Sequence, residues 1–391
     1  MAENTKNILI SHGGAPTAVI NASLYGAIKE IKENGFKGKI FAARFGSKGL
    51  YNEDFIDLTD IDDETLEKLK NTPGTAIGSS RFPLYEKEYE HIVDVLVKHN
   101  IGYLLFTGGN GSMDTIGNIY KHAKARGVDL YCAGIPKTID NDLGVTDHAP
   151  GFASAANYVV QTVKDAAEDV KGLPIHVSVI EIMGRNAGWL TAASVLAREK
   201  EGDAPHLIYL PEVPFDEDKF LEDVKREWAK GKGVIVCCSE GLKDKNGNSI
   251  VEPIFKTDRA TYFGDVSAHL ATLIIKKLGI KARSEKPGLI ARCSSSLASK
   301  VDIDEAILMG RVAAKAVLEK KNGVMAGLKR ISSLPYRVEP ILIPIEEVML
   351  KESTFPLSYI VNGNDISPEY AKWLKPLLND SKEFVSFVDK K

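Results

Sequence analysis

The sequence has little of what would indicate a membrane, secreted or nucleic-acid-binding protein. Only four cysteines occur among 391 residues, without a C-x-x-C pair or another metal-ligand spacing, so we expect reduced thiols. No segment approaches about eighteen uninterrupted apolar residues, and the N-terminal apolar run is too short for a signal peptide. The formal net charge of -3 provides no basic field for nucleic acid or an anionic membrane. We therefore expect a cytoplasmic protein that binds neither nucleic acid nor membranes.

The remaining composition is that of a folded protein with two domains of ordinary size. Hydrophobic residues make up 44% of the chain, charged residues 26%, and 33 glycines are present. Short β-branched runs such as NILIS (7–11), YLLF (103–106) and GVIVCCS (233–239) alternate with helical stretches. This alternation predicts an α/β fold with mainly parallel sheets and crossover helices.

Two glycine-rich loops directly follow predicted strands, which is where ligands bind in open α/β sheets. The first contains Gly13 and Gly14, and the second contains Gly109, Gly111 and Ser112. Glycine lets the backbone approach a phosphate, and the next helix offers free N–H groups. We expect Ser112 to cap a helix that runs from Met113. Ordinary βα turns are the alternative interpretation.

A third loop, PKTIDND, brings Lys137, Asp140 and Asp142 into six residues after a buried strand. If this segment is extended, Asp140 and Asp142 point the same way and Asn141 points the other way. One carboxylate can then act as a general base while the other orients it. Asx turns, in which the side chains bond their own backbone, explain the same residues without a function. We expect Asp147 to cap the following helix.

Two further loops end apolar strands. Arg185, in MGRNAGW, lies between glycines, where a guanidinium can bind a phosphoryl group. Glu240, in SEGL, can accept hydrogen bonds from a hydroxyl-bearing ligand. A structural arginine and a helix-capping carboxylate are the alternatives.

In their order and spacing, the GG-x-P, GGNGS, PKTIDND, MGRNAGW and SEG motifs resemble the phosphofructokinase family over about residues 7–320. The resemblance implies two Rossmann-like domains with a cleft between them. Residues 1–150 plus about 290–391 would bind the phosphoryl donor, and residues 151–289 would bind fructose 6-phosphate. It also implies Mg²⁺, a homodimer or homotetramer, and transfer of a phosphoryl group from ATP or pyrophosphate to O1 of the sugar.

The resemblance also implies roles for individual residues. Asp140 would be the catalytic base, Asp142 its close companion, and Thr138 a contact of the transferring phosphoryl group. Sugar and phosphoryl oxygens would be held by Met183, Gly184, Arg185 and Glu240, the 6-phosphate by Arg283 and Arg292, and the donor by Gly13, Gly14, Arg81, Gly109, Gly111 and Ser112.

The chain departs from the family pattern at three places. His176 replaces an arginine that often reaches a neighbouring active site, and the arginines of the bacterial effector site are absent after the first loop. Asn110 replaces an aspartate associated with Mg²⁺, so we expect phosphates and water to hold most of the metal, with Asn110 as the protein's contribution.

The sequence leaves the donor open. Lys137 and the segment GGxPTAVINAS resemble the sequences of family members that use pyrophosphate. In those members a lysine adds a cation beside a small donor. Gly111 instead leaves open the space that pyrophosphate users usually fill with an aspartate that repels ATP. Repulsion of ATP by an aspartate would discriminate between donors more strongly than the presence of a lysine. Because Gly111 lacks that charge, we expect ATP as the donor, with pyrophosphate as the alternative. A non-catalytic phosphosugar-binding subunit is a more distant alternative, since Asp140 and Arg185 are both present.

Overall fold

The computed structural model describes residues 5–256 and 261–388, which form two compact units. The first unit comprises Met1–Ser154 and Arg292–Ser353, and the second comprises Ala155–Ala291 and Thr354–Lys391. Two borders lie within a few residues of the predicted ones. The prediction was wrong for residues 354–391, which group with the second unit because their aromatic side chains pack there, as Tyr370 does against Trp189.

The described residues contain fifteen strands and twelve α-helices. The strands are β1 (Asn7–His12), β2 (Ile40–Ala43), β3 (Phe55–Asp57), β4 (Ile101–Gly108), β5 (Tyr131–Pro136), β6 (Val177–Ile182), β7 (Leu207–Tyr209), β8 (Val234–Ser239), β9 (Pro253–Lys256), β10 (Thr261–Phe263), β11 (Ala282–Glu285), β12 (Val324–Ser333), β13 (Tyr336–Pro344), β14 (Ile360–Val361) and β15 (Asp365–Ile366). The helices are α1 (Ile20–Glu33), α2 (Ser47–Asn52), α3 (Asp63–Leu69), α4 (Glu86–Lys98), α5 (Asn110–Ala125), α6 (Phe152–Gly172), α7 (Trp189–Ala192), α8 (Glu217–Trp228), α9 (Val266–Leu278), α10 (Ile290–Cys293), α11 (Lys300–Leu318) and α12 (Pro368–Leu374).

The first unit is built around a sheet in the order β13-β12-β5-β4-β1-β2-β3. Its five inner strands pair in parallel, whereas β3 and β13 are antiparallel edge strands. Side chains of α1 and α11 cover one face, and those of α4 and α5 cover the other. Burial on both faces explains why the inner strands read as continuous apolar runs.

The second unit contains a parallel sheet in the order β11-β6-β8-β7. Every residue of β6 and β8 is buried. Apolar side chains of α8 and α9, including Phe220 and Leu270, form its core together with Val179 and Val236. The two sheets confirm the predicted α/β class with mainly parallel strands.

Helical structure is short after the MGRNAGW loop. Helix α7 covers a single turn and a 3-10 helix follows at Ala193–Ala197. No helix within the described part of the chain is long and apolar enough to cross a membrane.

Candidate active site

Three of the predicted loops meet at one edge of the sheet in the first unit. Strands β5, β4 and β1 are neighbours and run in parallel, so the segments that follow them leave from the same edge. This topology brings together the first two glycine-rich loops and the PKTIDND loop.

Glycine is required in the first loop because the second loop packs closely against it. A Cβ atom on Gly13 would lie 2.2 Å from the Ser112 Oγ. Gly14 has a φ of +71°, in the left-handed region that favours glycine. The Lys137 Nζ also reaches this loop, donating to the carbonyl of Ala15 at 2.5 Å.

The second loop leads directly into α5, which begins earlier than predicted. Gly109 is the N-cap residue without a side-chain cap, so Ser112 lies within the first turn and does not cap a helix from Met113. Ser112 is buried and its N–H donates to the Gly109 carbonyl at 2.9 Å. Gly111 is exposed, and a Cβ atom there would meet nothing within 4 Å. The uncapped helix start offers backbone N–H groups to an anion.

The PKTIDND loop is bent rather than extended. Asn141 has a φ of +52°, and its buried side chain accepts a hydrogen bond from the N–H of Ala149 at 3.1 Å. The expectation that Asp140 and Asp142 share a face of an extended segment is therefore wrong. Instead, the Thr138 hydroxyl donates to the Asp142 carboxylate at 2.9 Å and accepts from the Asp140 N–H at 3.1 Å.

Lys137 is a buried cation beside these carboxylates. Burial lowers its pKa to about 8, while the charges of Asp140 and Asp142 act in the opposite direction. Arg292 and Arg81 lower the pKa further, so both guanidinium groups lie within electrostatic reach of the ammonium. The structure thus brings three predicted cations and two carboxylates together in the first unit.

His12, which the sequence did not single out, lies at the end of β1. Burial and then the Lys137 charge lower its pKa to about 3, so the imidazole is neutral at physiological pH. Its Nδ1 lies 2.8 Å from the Thr75 Oγ1. The only signal in the sequence was a histidine directly before two glycines, which does not by itself indicate a function.

Asp147 does not cap the helix that follows it, contrary to prediction. Its carboxylate lies 2.8 Å from the His148 Nδ1 and accepts from the Arg330 Nε at 3.0 Å. The carboxylate at the start of α6 belongs to Asp302, which accepts from the N–H groups of Gly151 and Ser154.

The second unit holds the MGRNAGW and SEGL loops together. Gly184 has a φ of +122°, and its carbonyl accepts from the Ser239 hydroxyl at 2.6 Å. The Gly184 N–H donates to the Glu240 carboxylate at 3.4 Å. Met183 is partly buried and Arg185 is exposed. Of the predicted residues, these four are brought together within this unit.

The two predicted 6-phosphate arginines fall in different units. Arg283 is an exposed residue of β11, paired with Ser178 of β6, whereas Arg292 belongs to the first unit. His176 precedes β6 and is buried, and burial followed by the Arg283 charge lowers its pKa.

The donor set for a cation is sparse. The described residues contain no group of three His, Cys, Asp or Glu side chains that could hold a metal ion. One oxygen is nevertheless available, because the Asn110 Oδ1 is buried and has no hydrogen-bond partner among the residues described. Its Nδ2 donates to the Asp142 carboxylate at 3.0 Å. This arrangement fits Mg²⁺ that takes most of its ligands from phosphates and water.

Comparisons with known proteins agree with the geometry. The family model described as Phosphofructokinase matches residues 7–317. The chain is 37% identical over 383 residues to a pyrophosphate–fructose 6-phosphate 1-phosphotransferase of Xanthomonas campestris pv. campestris (strain B100), covering 95% of this chain and 91% of that protein. It is 32% identical over 267 residues to an ATP-dependent 6-phosphofructokinase of Teredinibacter turnerae, covering 67% and 78%. The crystal structure of a pyrophosphate-dependent phosphofructokinase from Marinobacter aquaeolei superposes with a TM-score of 0.88 at 33% identity, covering 98% and 94%.

Proposed function

Because this chain belongs to the phosphofructokinase family, we propose that it transfers a phosphoryl group from pyrophosphate to O1 of fructose 6-phosphate. The observation that carries the donor assignment is the similarity to pyrophosphate-using proteins along 95% of the chain. The similarity to an ATP-dependent relative extends over only 67%. The comparisons therefore favour pyrophosphate over the ATP that we expected from Gly111. Lys137 supports the same choice, because a buried ammonium can offset the charge of a donor that lacks a nucleoside.

In this proposal Asp140 takes the proton from the sugar hydroxyl. Asp142 supports the loop, because its carboxylate is fixed by the Thr138 hydroxyl and the Asn110 amide. A general base of this kind contributes on the order of 10²- to 10⁴-fold to the rate. Glu240 would accept a hydrogen bond from the sugar, and Arg185 would bind the transferring phosphoryl group.

Charge on the transferring group would be stabilised mainly by fixed donors. The Gly111 N–H belongs to the uncapped first turn of α5, and the Lys137 Nζ lies near Gly14 in the first loop. Mg²⁺, when bound, would offset the negative charge of the donor phosphates, and the unpartnered Asn110 Oδ1 is one protein oxygen that could contact it.

Other features remain part of the proposal. The first unit would bind the donor, the second would bind the sugar, and Arg283 and Arg292 would contact the 6-phosphate. A cytoplasmic location and a homodimer or homotetramer are expected from the family resemblance.

ATP is the second candidate donor, since the open space at Gly111 leaves room for a larger phosphate chain. An initial-rate assay with fructose 6-phosphate and Mg²⁺ separates the candidates when ATP and pyrophosphate are compared at equal concentration. We expect faster turnover with pyrophosphate. Faster turnover with ATP would support the second candidate, and turnover with neither would contradict the proposed function and favour a non-catalytic sugar-binding protein.

A further inference from the structure

The loop that carries Arg185 is fixed at both ends within the second unit. At its start, the Ser239 hydroxyl donates to the Gly184 carbonyl at 2.6 Å. At its end, the Gly188 N–H donates to the Glu212 carboxylate at 2.8 Å. Arg185 itself is exposed. The long Arg185 side chain is therefore attached to a backbone segment that hydrogen bonds hold in place.

Glu212 holds more than this loop. The same carboxylate oxygen, Oε1, also accepts from the N–H of Phe355 at 2.8 Å. The other oxygen, Oε2, is buried and has no hydrogen-bond partner among the residues described. Burial raises the pKa of Glu212, while the N–H groups of Gly188 and Phe355 act in the opposite direction. Both backbone donors stabilise this desolvated carboxylate, which therefore favours the conformation that keeps them in place.

Aromatic packing joins the same two segments. The Tyr370 hydroxyl donates to the Trp189 carbonyl at 2.6 Å, and Tyr370 is fully buried. The Trp189 ring also packs edge to face against Phe355, with centroids 5.1 Å apart. The segment 355–374 therefore supports the residue that directly follows Gly188. This segment lies beyond residue 317, where the match to the family model ends.

We propose that Glu212 is a positioning residue that, together with segment 355–374, fixes the backbone on which Arg185 is presented. Its effect on turnover rests on the proposed function, in which Arg185 binds the transferring phosphoryl group. Displacement of a binding group by about 1 Å can cost on the order of 100-fold in rate. Glu212 thus acts on the reaction through Arg185, without contacting the substrate.

Limited trypsin digestion tests the inference without relying on activity, because Arg185 is an exposed trypsin site. Replacing Glu212 by Ala removes the oxygen that accepts both hydrogen bonds, and we expect cleavage after Arg185, seen as fragments 1–185 and 186–391, to accelerate by about tenfold or more. Glu212→Gln keeps an acceptor oxygen and should recover most of the protection.

Asp203→Ala is the matched control. Asp203 is a partly buried carboxylate of the same unit that accepts from the backbone N–H groups of Glu199 and Lys200, outside segment 355–374. We expect this variant to be less stable but to be cleaved after Arg185 at the wild-type rate. Equal acceleration in Glu212→Ala and Asp203→Ala, or no acceleration in Glu212→Ala, would overturn the inference.

Kinetics provide the second measurement. We expect Glu212→Ala to lower kcat by about 10- to 100-fold, and Glu212→Gln to recover most of it. An inactive wild-type protein would contradict the proposed function, while the digestion would still decide whether Glu212 fixes the loop. If Glu212→Ala does not fold, Tyr370→Phe removes only the hydroxyl that donates to Trp189, and unchanged cleavage after Arg185 in that variant overturns the inference.

Discussion

The side-chain amide of Asn110 donates to the Asp142 carboxylate at 3.0 Å and to the Asp142 carbonyl at 3.1 Å. The two residues follow β4 and β5, which are neighbouring parallel strands. A neutral amide stabilises an ionised carboxylate at this distance, whereas a second carboxylate would repel it. The Asn110 Nδ2 therefore joins the two loops, while its Oδ1 stays available to a cation.

Replacing Asn110 by Asp should make this contact depend on a cation. Two carboxylates about 3 Å apart repel each other, so we expect the Tm of Asn110→Asp to fall by several degrees at pH 7. Added Mg²⁺ should raise the Tm of the variant more than that of the wild type. Thermal unfolding with and without Mg²⁺ measures both effects, and Asn71→Asp, on an exposed asparagine, is the control. Equal Mg²⁺ responses of Tm in the variant and the wild type would show that the contact between the substituted residue 110 and Asp142 does not depend on a cation.

Asp140→Asn tests the catalytic base. An amide cannot take the proton from the sugar hydroxyl, so we expect kcat to fall by roughly 10²- to 10⁴-fold while the KM for fructose 6-phosphate changes little. Asp60→Asn makes the same change at an exposed position and should leave kcat unaltered. Turnover near the wild-type level in Asp140→Asn would remove Asp140 from the mechanism.

Lys137→Met should separate stability from activity. The pKa of Lys137 is about 8 in the folded chain and 10.5 in the reference state, so the unfolded chain binds more protons between these values. The contribution of this lysine to stability therefore rises with pH from about 8 to 10.5, and below pH 8 its burial costs free energy. We expect the variant to be at least as stable as the wild type at pH 7 but to lose most of its turnover with pyrophosphate.

Urea unfolding at pH 7 and at pH 9.5 checks the sign. The stability gained from Lys137→Met should be smaller at the higher pH. Lys87→Met, on an exposed lysine, should show no such difference. A variant that is much less stable than the wild type at pH 7 would show that the bond from Lys137 to the Ala15 carbonyl outweighs the cost of burial.

His148 should produce the opposite dependence on pH. Burial lowers its pKa, but the Glu305 charge and hydrogen bonds to Asp147 and Glu305 together raise it to about 9. Because the folded pKa exceeds the reference value of 6.5, this stabilisation is complete below about pH 6.5 and is lost as the pH rises through 9. We expect the wild type to lose stability across this range and His148→Gln to lose less. Parallel pH profiles of unfolding free energy would contradict the charged state of His148.

The sequence predicted the fold class and the glycine-rich loops because both depend on local patterns. Apolar runs bounded by glycine indicate buried parallel strands, and the order of β5, β4 and β1 then brings their loops together. It did not predict the bend at Asn141, because a single asparagine with positive φ is compatible with many surroundings. The same limit explains why the cap at Ser112 was wrong. Helix α5 begins at Asn110, three residues before the start at Met113 that a serine cap predicts.

Sequence motifs did not predict contacts between residues that are distant in the chain. Asp147 lies five residues before α6 and was an obvious cap, but its partner is Arg330, from β12. The grouping of residues 354–391 with the second unit likewise depends on Tyr370 reaching Trp189. No periodicity connects such positions, so only the folded chain reveals them.

Gly111→Asp tests how the donor is selected. A Cβ atom at this position meets nothing within 4 Å, and an aspartate in the first turn of a helix is favourable, so we expect the variant to fold as well as the wild type. Its carboxylate should repel the extra phosphate of ATP by several kcal/mol while leaving pyrophosphate turnover largely intact.

The kcat/KM for each donor, together with inhibition of the pyrophosphate reaction by ATP, measures this selection. Gly111→Ala fills the same space without charge and should keep the wild-type preference between donors. We expect ATP to bind at least tenfold more weakly to Gly111→Asp than to Gly111→Ala, since one like-charge contact in a cleft costs more than 1.4 kcal/mol. Equal ATP binding by the two variants would mean that charge at this position does not select the donor, leaving Lys137 as the residue to test.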